Sequence, residues 1–169
     1  LTDRSHVLGP PGGESFLAGL PGTHQWAGTN RWQSAAGVEI FPVPVRHTGP
    51  PPAECAYFIK KGSATLFFGG DMARSRLEHR PFEPQLAFLP VGGTSICGKR
   101  TVMNPLDAVN FARELGAKTL VPIHPGGEWM SLPPLSRHPG RCEDLLDLKD
   151  EDTAILLAKR GETVRVNEN

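Results

Sequence analysis

Three side chains in this sequence have the donor types that bind metal ions and stand where a strand gives out: His47, Asp71 and His124. Imidazole nitrogen and carboxylate oxygen are the donors that zinc and related ions accept. A carboxylate can bridge two ions, and a bridging carboxylate with separate histidines can hold two metals about 3.5–4 Å apart. Ions held in this way lower the pKa of bound water and supply hydroxide near neutral pH. The intervals between the three are wide, so spacing alone does not define a shared centre. Each also has an ordinary reading: His47 as a loop residue, Asp71 closing a turn through its side chain, His124 bonded to backbone.

The elements that would position them are legible. Residues 37–47, GVEIFPVPVRH, read as a strand ending at His47, with Pro42 and Pro44 removing two ladder donors, so an edge strand or an interruption is expected. Residues 55–60 and 64–69 read as a hairpin about Lys61, Gly62 and Ser63, and Gly69-Gly70 lets the chain turn before Asp71. A short helix over residues 73–79 is compatible with the pattern, stopped by Pro81. Residues 85–91, QLAFLPV, form an unbroken apolar run, as in a central strand covered on both faces.

The clearest helix spans residues 104–115. Asn104 caps it, Pro105 fits the first turn, Leu106, Val109, Ala112 and Leu115 recur with Phe111 beside them, and Gly116 ends it. Residues 118–123 then form a covered strand running into His124, which gives the strand–helix–strand grammar of a layered α/β domain. Residues 143–149 read as a short helix, and residues 153–158 and 163–166 as a terminal hairpin.

At 169 residues the chain suits one domain with a real core. Residues 1–36 show neither helical period nor alternation and read as an irregular arm anchored by Phe16, Leu17, Leu20, Trp26 and Trp32; residues 37–169 form the structured part. The chain begins on Leu1 rather than Met, so a preceding segment is expected. Eighteen basic and eighteen acidic residues leave no surplus for nucleic acid, and no apolar run is long enough for a membrane span. Three widely spaced cysteines, Cys55, Cys97 and Cys142, make no disulfide framework and fit a reducing, cytoplasmic compartment. No glycine-rich nucleotide motif occurs. His79 reads as solvent-facing, and Cys97 has no partner of a nucleophile site. His138 lies between Arg137 and Arg141, which either help hold a substrate anion or belong to a solvated loop.

From His47 to His124 the chain resembles the second half of a metallo-β-lactamase-fold hydrolase, nearest the branch of L-ascorbate-6-phosphate lactonase-like and N-acyl-phosphatidylethanolamine phospholipase-like proteins. The resemblance rests on PVPVRHTG, ATLFFGGD, QLAFLPVGG and TVMNPLDAVNFARELGAKTLVPIH, with RGETVRV fitting the closing strands. It implies an αββα sandwich, here mainly its second half, with a mixed sheet and flanking helices. It also implies that His47 binds a first metal, that Asp71 bridges and is the catalytic residue, and that His124 binds a second metal. Zinc is the expected ion, with manganese or iron(II) as alternatives. The implied activity is hydrolysis of an ester, lactone, amide or phosphoester of a small molecule by metal-activated water. The family's principal motif, H-x-H-x-D-H, is absent, and His6 and His24 have no such partners. An N-terminal half, a partner chain or a second copy would therefore supply the remaining ligands. The alternative is a non-catalytic domain with a lost or incomplete metal site, serving association or ligand binding.

Overall fold

The structure, a computed structural model, describes residues 6–9, 19–26, 28–48, 54–149, 152–159 and 161–163. Within residues 1–36, where no regular pattern is legible, three short strands form. Strands β1 (His6–Gly9) and β2 (Thr23–Trp26) pair in parallel with each other, and β3 (Gln33–Ala35) joins the main sheet.

Strands β4 (Val38–Pro44), β5 (Cys55–Lys61) and β6 (Ala64–Phe68) follow as an antiparallel meander. The turn between β5 and β6 is tight, and Gly62 supplies its left-handed backbone at φ +59°. Strand β7 (Leu86–Pro90) then pairs in parallel with β6. Two-residue strands β8 (Ser95–Ile96) and β9 (Lys99–Arg100) lead into helix α1 (Pro105–Leu115), which carries the chain over to β10 (Thr119–Ile123), parallel to β7. Strand β11 (Ser136–Arg137) joins β8 and β9 in a small separate sheet, and β12 (Ala154–Ile155) lies parallel to β10. The main sheet is thus mixed and seven-stranded, in the order β12-β10-β7-β6-β5-β4-β3. As the unbroken apolar run requires, β7 is central.

Strand alternation gives the sheet two distinct faces. Cross-strand partners Phe41, Phe58, Phe67, Ala87 and Leu120 form one row, all buried. Helix α1 lays Ala108, Val109, Phe111, Ala112 and Leu115 on this face, and Phe111 meets Phe67 at 5.8 Å between ring centres. The adjacent row, Pro42, Tyr57, Phe68, Phe88 and Val121, lies on the other face, where Phe68 is still 41% exposed.

Helix α1 starts where the capping logic places it. Asp107 N–H donates to the Asn104 side chain at 2.7 Å, Asn104 N–H donates back to the Asp107 carboxylate, and Gly116 closes the helix at φ +68°. Leu106, expected on the apolar stripe, is instead 52% exposed. The 3.6-residue period puts it on the far side of the helix from Ala108 and Ala112.

Other expectations change. Strand β4 is not at the sheet edge, because β3 flanks it, but β3 reaches only Val38 to Ile40 in register. The Pro42 carbonyl accepts from Asn30 N–H at 2.7 Å, so the polar groups of Pro42, and of Pro44 two residues on, point away from β5. The missing donors therefore cost no β4–β5 bond. No helix forms over residues 73–79: Ala73 N–H donates to Arg46 O at 2.7 Å, which holds the backbone in a bridge to the end of β4. The expected helix near residue 143 is a 3-10 turn, Glu143–Leu148, with Leu145 buried against the core. The first arm of the expected terminal hairpin contains β12, which runs parallel to β10; residues 164–166 of its second arm lie outside the described residues.

Candidate functional site

His47, Asp71 and His124 line one open cavity of about 550 Å³ at the end of β4, β6 and β10. Each is fixed by a different local device. Beyond β4, Val45 N–H donates to Glu54 O at 3.0 Å, and the Glu54 carboxylate accepts from the successive N–H groups of His47 (2.6 Å) and Thr48 (2.9 Å). Glu54 thereby bends the chain at His47. The imidazole is oriented by its Nδ1, 2.9 Å from the Thr101 carbonyl oxygen. A carbonyl only accepts, so Nδ1 carries the proton and Nε2 is left with its lone pair, the form a metal ligand takes.

Asp71 follows β6 through Gly69, whose N–H donates to Phe88 O, and Gly70, whose φ of +58° turns the chain. After it the backbone is clamped again: Met72 is buried, its carbonyl accepts from Met103 N–H, and Ala73 bonds Arg46. The carboxylate of Asp71 is about half exposed and faces the cavity.

His124 ends β10 in the left-handed region at φ +49°. That breaks the alternation expected of an extended strand, and His124 lines the same cavity as its neighbour Ile123. Its Nε2 lies 3.6 Å from Asp71 Oδ2. Its Nδ1 is buried and has no hydrogen-bond partner among the described residues. The ring has room because position 92 is glycine: a Cβ there would stand 2.8 Å from the His124 carbonyl oxygen and 3.2 Å from Nδ1.

The three predicted residues thus share a cavity, and two of them are in contact. Yet among the described residues no three His, Cys, Asp or Glu side chains are grouped so as to hold a metal ion. By donor chemistry the residues suit a metal; by geometry they do not make a whole centre. Sequence reasoning missed Glu54 and the Thr101 carbonyl, which act by backbone register and leave no motif. Thr94 is buried and hydrogen-bonds His138 Nδ1 at 2.9 Å, tying two loops together.

Cys55 and Tyr57 line the apolar side of the cavity. Burial pushes the Cys55 thiol up, away from the thiolate a nucleophile needs. Burial, with a smaller contribution from Cys55, pushes the Tyr57 phenol up to about 12. The folded state therefore holds Tyr57 neutral where the unfolded chain, near 10, ionises it. This contribution is intact below pH 10 and is lost as pH rises towards 12. Tyr57→Phe should flatten the fall in stability across that window, read by urea unfolding at a series of pH values.

A mixed, layered α/β sheet with acidic and histidine side chains gathered at its strand ends places the chain among α/β domains that carry a crevice site at the sheet's edge. A family described as a beta-lactamase superfamily domain matches residues 14–125. The chain belongs to the metallo-β-lactamase fold superfamily, and its fold is the α/β sandwich of that superfamily with a mixed sheet and flanking helix. Among solved structures it is similar to Igni18, a metallo hydrolase from the hyperthermophilic archaeon Ignicoccus hospitalis, with TM-score 0.72 and 16% identity over 98% of this chain and 70% of that one. It is also similar to isothiocyanate hydrolase from Delia radicum gut bacteria (TM-score 0.71, 14% identity, 98% and 69%). A third is the metallo-beta-lactamase fold protein YhfI from Bacillus subtilis (0.68, 17%, 93% and 63%). At these identities the likeness establishes the fold alone. No curated protein matches the chain. Among the described residues no helix is long and apolar enough to cross a membrane.

Proposed function

We propose that this chain, taken by itself, is a metallo-β-lactamase-fold domain with an incomplete metal site, whose cavity binds a small molecule or receives a partner that completes it. The observation behind this reading is that His47, Asp71 and His124 line one cavity while no group of three donors among the described residues is arranged to hold an ion.

A second reading has its own support in the oriented imidazole of His47 and the contact between His124 and Asp71. In it the chain contributes part of a metal-dependent hydrolase centre. His47 would hold one zinc, or manganese or iron(II), His124 another, and Asp71 would bridge them as the catalytic carboxylate. The remaining ligands would come from a further segment, a partner chain or a second copy. The substrate would be an ester, lactone, amide or phosphoester, and the lactonase-like and phospholipase-like branch favours lactones and phosphoesters. The lack of a disulfide at Cys55, Cys97 and Cys142 supports a cytoplasmic setting.

Calorimetric titration of the chelator-treated chain with Zn2+, with hydrolysis assayed alongside, tests the first reading. An incomplete site should bind no tighter than roughly 1 µM, about −8 kcal/mol, and should hydrolyse neither p-nitrophenyl esters nor bis-p-nitrophenyl phosphate. Nanomolar binding of two ions together with hydrolysis of either substrate, both abolished by His47→Ala, would overturn that reading and point to a second copy as the source of the remaining ligands.

A further inference from the structure

A second cleft, of about 340 Å³, opens between the end of β4 and the irregular segment after Asp71. Arg46, Arg74 and Arg76 line it, with Glu78 as a carboxylate in the lining and Val45 and Leu77 as part of its apolar wall. Arg74 is paired with Glu114. Among the described residues no ion pair engages Arg46 or Arg76. Against the single carboxylate of Glu78 the cleft keeps a surplus of positive charge, in a chain whose formal net charge is zero. Guanidinium groups present planar forks that match the oxygens of a phosphate. The volume accommodates a phosphate with a small organic body.

The cleft is joined to the cavity of His47 and Asp71 through backbone. Arg46 O accepts from Ala73 N–H at 2.7 Å, and Arg46 N–H donates to Ser75 Oγ at 3.1 Å. Ser75 Oγ in turn lies 3.1 Å from Ala73 O. Arg46 immediately precedes His47, and Ala73 stands two residues after Asp71. One junction therefore ties the cleft to the backbone that carries two of the three cavity donors.

We propose that this cleft binds the phosphate group of a small phosphorylated molecule through Arg46 and Arg76, and that its occupancy tightens the backbone junction beside His47 and Asp71. The binding claim stands on the cleft alone; the regulatory consequence rests on the role given to His47 and Asp71 above.

The test is calorimetric titration at low ionic strength with inorganic phosphate and with phenyl phosphate. EDTA is present so that no metal-bound phosphate contributes. One saturable site is expected, with phenyl phosphate binding more tightly than phosphate because of the Val45 and Leu77 wall. Arg76→Ser should weaken binding at least tenfold, Arg76→Lys less, and Asp71→Ala should leave it unchanged. Absence of saturable binding, or equal binding by Arg76→Ser, overturns the site. Amide hydrogen exchange tests the coupling. Phenyl phosphate should slow exchange in peptides covering residues 44–47 and 71–75, and unchanged exchange there with the ligand bound overturns it. Neither readout depends on zinc binding or hydrolysis.

Discussion

Phe58→Ala should cost the domain about 3–5 kcal/mol, as truncation of a fully buried ring generally does. Phe58 has no exposed surface and sits midway along β5. Its ring makes edge contacts with Phe67 at 4.9 Å and Phe82 at 5.3 Å. Phe67 in turn meets Phe111 of α1, so the ring anchors the stack that fastens helix to sheet. Domains of this size have about 5–15 kcal/mol of stability in all, so the variant should be largely unfolded or melt far earlier. Denaturant unfolding measures it. A loss under about 1 kcal/mol would mean that Phe58 does not occupy the core position described.

Gly140→Ala should be comparably severe, and its effect should reach the cavity. A Cβ at position 140 would stand 1.8 Å from the Val91 carbonyl oxygen, and backbone on both sides leaves nothing flexible to yield. The loop would have to move away. It would then lose the bonds from Gly140 N–H to Gly92 O (3.0 Å) and from Gly126 N–H to Gly140 O (2.7 Å). Leaving such groups unsatisfied costs about 1–3 kcal/mol each. Because Gly126 lies two residues beyond His124, the imidazole should lose its place beside Asp71 as well. The expected outcome is a Tm lowered by many degrees together with altered His124 ring resonances by NMR. Near-normal stability with unchanged resonances would show that these loops are not packed as described.

The elements that could be read from sequence are those governed by local rules. The cap at Asn104, the stop at Gly116 and the turn at Gly62 each require a particular residue at a particular backbone geometry, and each forms as read. The apolar run of β7 likewise marks a strand at the centre of a sheet. Elements decided by distant partners could not be read. Residues 73–79 have helical composition, yet the bridge between Arg46 and Ala73 takes the backbone elsewhere. Strand β12 is only two residues long and is defined by β10, not by its own pattern. At the cavity, donor types pointed to His47, Asp71 and His124, which the fold brings to the lining of one cavity. The groups that aim them are a carboxylate used only by its reach to two amides, at Glu54, and a peptide carbonyl, at Thr101. Neither has a signature that spacing could reveal.

The orientation of Pro42 and Pro44 reaches beyond β4 itself. Past the short reach of β3, the flank of β4 is where a foreign strand from another molecule would dock. Such a strand would meet ring methylenes in place of two amide hydrogens, and the Pro42 carbonyl is already engaged by Asn30. That stretch of β4 is thereby made a poor template for extension. Copies of this domain should therefore pair poorly through that stretch of β4, because two of its residues have no amide hydrogen to offer.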